Sequence, residues 1–255
     1  MDLNTFTADD LRAAAASPVF TAVHGAWTIL ENSPGVTSAE WTAALAAVGA
    51  ASTVSEDNPA STHDCAAVAA LIAPRPLAAT FQYHETGGVP ATMLNNSEID
   101  AAFAACGGSA PVVTLTRAFW PGSPWRTRVE ATLGNAHLLG VAMEYNPDDY
   151  GKRNEDDFVA ELLTRGKRPI FLLPFRSNFP NATEDIMAQV FGWFASRNAS
   201  LADSRVVFAL ANYDQPPLPV LGATNSIESA LRVTLAACAA APCGWGGGKW
   251  NLVYM

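Results

Sequence analysis

Eight times along this chain a short β-branched or apolar run ends in polar residues and leads through a cap into an amphipathic, alanine-rich stretch. Strict alternation of this kind constrains the fold more than any single motif, because it implies parallel strands joined by right-handed helical crossovers. The runs read as strands at Phe20–His24, Ser52–Ser55, Leu77–Tyr83, Val112–Phe119, Leu138–Met143, Ile170–Phe175, Val206–Ala211 and Trp250–Tyr254. Between them, caps mark helix starts. Thr37 with Glu40 forms a capping box, Ser61 precedes Asp64, Ser123 precedes Pro124, Asn181 precedes Glu184, and Asn225 precedes Glu228. The helix after strand three is expected from Ser97. The one after strand four is stopped by Gly134, and that from Asn154 to Arg165 is stopped by Gly166.

A helix opening at Thr7, with Asp9 and Asp10 in its first turn, precedes strand one. It can take the place that a helix after strand eight would fill. Eight units in 255 residues suit a single α/β domain, residues 1–255, closed as a (β/α)8 TIM barrel with its N-terminal helix in the eighth helix position. An open doubly wound sheet is the competing arrangement. No G-x-G-x-x-G or G-x-x-x-x-G-K-[ST] follows a strand, which removes its two best-known nucleotide sites.

The totals bound the function classes. Hydrophobic residues make up 49% and charged residues 15%, enough apolar surface for a large core. A net charge of −9 disfavours nucleic acid and anionic membranes as partners, since both require clustered Lys and Arg. No apolar run reaches the roughly 18–20 residues of a membrane span. The acidic N-terminus lacks the features of a signal peptide. Sequons begin at Asn95, Asn181 and Asn198. The four cysteines are Cys65, Cys106, Cys238 and Cys243, of which only the last two are close enough in sequence to suggest a local bridge. Buried thiols in helices are the other reading. A secreted protein is the expectation, a cytoplasmic one the alternative.

Loop lengths point to the working end. Helix-to-strand connections such as GAA, PRP and GKR are short, whereas AWTILENSPGVT, ETGGVPATMLNN and QPPLPVLGAT follow strands one, three and seven. Long loops at strand C-termini carry function in barrels. The groups expected there are His24, Glu56, Asp57, His84, Glu85, Arg117, Glu144, Asn146, Arg176, Asn212 and Asp214, with Trp27, Tyr83, Trp120, Trp125, Tyr145 and Tyr213 near the rim. His63 is expected at a helix start and His137 at the opposite, stabilising face. Gathering several carboxylates, two arginines and two histidines about one axis costs desolvation energy that a structural role does not return. Glu144 stands out because it ends the most apolar strand.

No G-x-S-x-G, H-x-H or H-E-x-x-H occurs, and no Cys/His spacing fits zinc. Neither a metal nor a cofactor is expected. Paired carboxylates with flat aromatic platforms match the needs of glycosidic bond hydrolysis. On these residues the chain resembles the TIM-barrel glycoside hydrolases as a superfamily. Some of their families end a strand in Asn-Glu-Pro; strand five here reads Glu144-Tyr145-Asn146-Pro147, and strand four ends in Arg117 without a glutamate. The resemblance implies a hydrolase acting on a small-molecule or oligosaccharide substrate. Two of Glu144, Asp214, Glu56 and Glu85 would be catalytic. His24, His84, Tyr83, Arg117, Trp120, Tyr145, Asn146, Arg176, Asn212 and Tyr213 would bind substrate. Arg117 and Arg176 beside Glu144 would either hold it ionised or bind an acidic glycan. Two other readings fit the same strand ends: a metal-assisted lyase or isomerase using His24, His84 and Glu144, and a non-catalytic sugar-binding barrel.

Overall fold

The structure is a computed structural model that describes residues 17–18, 27–30, 39, 52–57, 77–82, 93–116, 120–144, 155–175, 205–212, 221–224, 226, 228–229, 232–233, 236 and 252–254. Its strands are β1 (Trp27–Leu30), β2 (Ser52–Asp57), β3 (Leu77–Gln82), β4 (Val112–Thr116), β5 (Leu138–Glu144), β6 (Arg168–Phe175), β7 (Val207–Asn212) and β8 (Leu252–Tyr254). Three helices are described from end to end: α1 (Asn96–Ala105) after β3, α2 (Pro124–Thr132) after β4, and α3 (Glu155–Thr164) after β5. Every strand pairs parallel with its sequence neighbours, and the order returns from β8 to β1. The fold is α/β, a parallel sheet with alternating helices.

Local chemistry explains the helix boundaries. Asn95 caps α1: its Oδ1 accepts the Glu98 N–H at 2.9 Å while Glu98 Oε2 accepts the Asn95 N–H at 2.6 Å, a reciprocal capping box. The helix therefore starts at Asn96, one residue before the Ser97 start expected from sequence, and Ser97 donates its hydroxyl to Asn95 Oδ1. Ser123 caps α2 by accepting the Arg126 N–H, with Pro124 at the first helical position as expected. Leu133 is the C-cap of α2, and Gly134 follows it directly, where the sequence placed the stop. Past α3, Gly166 has φ +73°, a left-handed conformation natural to glycine, and stops the helix where the sequence placed its end. After β7 the reciprocal bonds run between Ser226 and Ser229, each N–H on the other's Oγ at 3.0 Å. Ser226 is thus the cap there, one residue beyond the Asn225 expected.

The largest correction concerns the start of the chain. Pro18 is helical, and the first described strand, the one that pairs with β2 and β8, is Trp27–Leu30. Ser17-Pro18 repeats the Ser-Pro pair that opens α2, a helix start signal. The stretch from Thr7 and the whole of the expected first strand, Phe20–His24, lie outside the described residues. Ser17 is buried and donates its hydroxyl to Glu228 Oε1 at 2.6 Å, linking the N-terminal segment to the helical residues after β7.

Apolar side chains fill the space between sheet and helices. Ile99 and Ala102 of α1, Trp125 and Val129 of α2, and Phe158, Val159 and Leu162 of α3 are all buried. α1 packs on β3 and β4, α2 on β4, and α3 on β6. Burying each large side chain contributes about 1.5–3 kcal/mol. Arg126 laces α2 to α3, with Nη2 at 2.8 Å from Glu161 and its guanidinium 5.3 Å from the Phe158 ring centroid. At the N-terminal side of β5, His137 stacks on Phe103 of α1 with ring centroids 3.9 Å apart, a packing role in line with its expected place. Lys167, buried just before β6, donates Nζ to the carbonyls of Asn135 and Leu138, both at 2.7 Å. Burial lowers its pKa below the ordinary 10.5.

Candidate active site at the strand C-termini

Which strand residues can face a common axis depends on the pleat, since successive side chains alternate between the two faces. Register sorts the positions into two sets. Asp57, Gln82 and Thr114 share one row, and Thr80, Thr116, Met143 and Phe171 belong to the same set. Glu56, Phe81, Val113 and Gly140 share the neighbouring row of the other set, to which Leu115, Ala142, Glu144, Ile170 and Leu172 also belong.

One contact tells the sets apart. The Leu94 N–H points to Thr114 Oγ1 at 3.4 Å. Leu94 immediately precedes the α1 cap, and its neighbour Met93 gives its carbonyl to Arg128 of α2 at 3.3 Å. Met93 and Leu94 therefore lie in the helical layer, and the set containing Thr114 faces the helices. Burial does not separate the sets: Ala79 and Ala142 of the second set are as fully covered as Thr80, Thr114, Thr116, Met143 and Phe171 of the first, so the assignment rests on the Leu94 contact. Gln82, whose Nε2 donates to Thr80 Oγ1 at 3.2 Å, is a buried polar group of the helix-facing set.

Glu56 and Glu144 thus occupy backbone positions in the set opposite the helices. Glu144 is the last residue of β5 and pairs with Leu172; Glu56 is the penultimate residue of β2 and pairs with Phe81. Asp57 and Asn212 fall in the helix-facing set by register, Asn212 through Phe175 on β6. Trp120 stands in the turn between β4 and α2, 40% exposed, with its carbonyl accepting the Ser123 N–H. His24 precedes β1 in sequence. Asp214, Glu85, His84, Tyr83, Arg117, Tyr145, Asn146, Arg176 and Tyr213 lie outside the described residues, as does His24 itself. Among the described residues no group of three His, Cys, Asp or Glu side chains is placed to hold a metal ion.

Gly140, two pleats below Glu144, has a specific reason to be glycine. A Cβ there would stand 2.4 Å from the Arg168 carbonyl oxygen on β6. The bare backbone lets β6 approach β5 closely, which fixes the strand that carries Glu144.

Sequence reasoning treated Glu228 only as a helix-start residue. In the structure its carboxylate accepts Ser17 Oγ and, at 3.1 Å, the Gly222 N–H, with Arg232 3.6 Å away. The Ser17 bond leads, followed by the Gly222 N–H, in holding its pKa below the usual glutamate value against the opposing effect of burial. The Ser17-Pro18 pair was the available signal, and the 211-residue separation is why spacing alone could not reveal the contact.

No family model matches the chain, and no curated protein matches it by sequence. Among solved structures it is similar to the apo crystal structure of Agrobacterium tumefaciens ATU3138, at 12% identity and a TM-score of 0.41, over 85% of this chain and 88% of that one.

Proposed function

We propose that the chain is a single (β/α)8 barrel that hydrolyses glycosidic bonds with Glu56 and Glu144 as its carboxylate pair. The observation that carries this reading is their shared pleat position: both stand near strand C-termini in the set turned away from the helices. The cyclic strand order supports closure. The Ser17–Glu228 bond supports placing the N-terminal helical segment beside the helix after β7, where an eighth helix belongs.

Height around the ring also favours the pair. The row through Glu144 runs by Leu172, Ala209 and Val253 to Trp27, from the last residue of β5 to the first of β1. Rows therefore descend in that direction, by about one residue per strand for a shear of eight. The row through Glu56 reaches β5 at Gly140, three strands on. The position level with Glu56 on β5 is then roughly residue 143, beside Glu144. Eight strands about 4.8 Å apart and tilted by about 36° make a ring roughly 15 Å across. Two strands three steps apart are separated by roughly 14 Å. A backbone separation of that size leaves room for a carboxylate pair with a glycosidic bond between them. Glycosidases place their acid and their nucleophile or base at about 5–9.5 Å.

In this mechanism one carboxylic acid protonates the departing glycosidic oxygen. The other carboxylate attacks the anomeric carbon or activates the water that does so. Trp120 offers an exposed flat ring in the loop after β4 for a sugar face. Arg117 and Arg176, from the loops after β4 and β6, would recognise an acidic sugar. The experiment is release of reducing ends from a panel of neutral and uronate- or sialate-containing oligosaccharides. Turnover of at least one substrate is the expected result. Silence across the panel, with binding retained, would replace the hydrolase by a sugar-binding barrel.

A further inference from the structure

Cys106, at the C-cap of α1, is disulfide-bonded and nearly buried. Its partner is one of the three other cysteines, Cys65, Cys238 and Cys243. Topology separates the candidates. α1 packs on β3 and β4. Cys65 belongs to the connection between β2 and β3, which adjoins that helix in the sheet order. Cys238 and Cys243 belong to the connection between β7 and β8, four strands away in a ring of eight. The Cα atoms of a disulfide lie within about 7 Å of each other. The strand ring alone spans roughly twice that, and helix layers stand roughly another 8–10 Å outside it.

We infer that Cys65 and Cys106 form a cross-link that ties the β2–β3 connection to α1, behind the strand that carries Glu56. Forming it removes two thiol protons and two electrons. An oxidised dithiol partner supplies the S–S bond and leaves as two thiols through a mixed disulfide. The cross-link marks a chain that matures in an oxidising compartment, in keeping with the expectation of secretion.

Methionine positions make the test direct. Cyanogen bromide cleavage at Met93, Met143 and Met187 puts Cys65 in fragment 2–93, Cys106 in 94–143, and both Cys238 and Cys243 in 188–255. The full chain is equilibrated with oxidised and reduced glutathione, its free thiols are alkylated, and it is cleaved without reduction. Mass spectrometry should find 2–93 joined to 94–143 and separated by reductant, with 188–255 running alone. Fragment 94–143 joined to 188–255, or released alone with Cys106 alkylated or carrying glutathione, would overturn the inference. A Cys65→Ser variant gives a second readout: Cys106 should become alkylated, and a Cys106 that stays protected contradicts the pairing.

Discussion

Replacing Gly140 by alanine tests the close approach that fixes β5 against β6. The added Cβ would meet the Arg168 carbonyl oxygen at 2.4 Å, the Arg168 Cβ at 3.0 Å and the Arg168 carbonyl carbon at 3.2 Å. Ordinary carbon–oxygen contacts begin at about 3.3 Å, so the strands must part by close to 1 Å. Two of the three obstructing atoms are backbone, which a rotamer change cannot move. Overpacking of this kind costs about 1–3 kcal/mol, and stretching one or two ladder hydrogen bonds adds about 1 kcal/mol each. A loss of about 3 kcal/mol follows, equivalent to a fall in Tm of roughly 6–12 °C in a chain of this size. The assay is thermal unfolding followed by circular dichroism, with urea unfolding as a check. Because Glu144 lies four residues along the same strand, turnover should fall as well, even at temperatures where the variant is folded. A Gly140→Ala variant with a Tm within about 2 °C of the parent would refute the close approach and the β5–β6 register built on it.

Three other outcomes follow from the same structure. Cys106→Ser should open a 42-residue loop, from 65 to 106 inclusive, and cost about 4 kcal/mol in unfolding by urea under oxidising conditions; no change would argue against the cross-link. For Lys167 the folded pKa lies below 10.5, so the folded state binds fewer protons than the unfolded one and this residue's contribution improves as pH rises through the lowered pKa towards 10.5. The stability of the parent relative to Lys167→Met should therefore rise across that alkaline window, and a flat difference would contradict it. For Glu228 the pKa is lowered, so its bonds contribute above the unfolded carboxylate pKa and fail as pH falls through the folded one. Ser17→Ala removes the leading cause, and its acid unfolding midpoint should move to higher pH; an unchanged midpoint would detach the N-terminal segment from the helix after β7.

Most of the strand order was legible because β4 to β7 are compact apolar runs bounded by Gly, Pro and polar caps. β1 was misplaced for a physical reason. Phe20-Thr21-Ala22-Val23 and Trp27-Thr28-Ile29-Leu30 are equally rich in β-favouring residues, and short apolar runs do not reveal their own period. The site was legible only in part. Glu144 could be picked out as the polar end of an apolar strand, but no sequence pattern distinguishes the position of Glu56 from that of Asp57 beside it. Threonines alternate with aliphatic residues on β4, and either face could be the inner one. Only the placement of Leu94 against Thr114, set by the chain folding down before α1, resolves it. The bridge at Cys106 escaped notice because proximity in sequence had favoured Cys238 and Cys243, whereas 40 residues lie between Cys106 and the inferred partner Cys65.

The central claim is that Glu56 and Glu144 act together on one glycosidic bond. The measurement that tests it most directly is kcat of Glu56→Gln, Glu144→Gln and the double variant on a responsive oligosaccharide, with folding verified by thermal unfolding. Each single change should lower kcat by about 10³-fold or more, and the double variant should be little worse than the weaker single one, because groups acting as a unit are not additive. If Glu144→Gln keeps near-parental kcat, or if the two losses simply multiply, the pair is not the catalytic machinery.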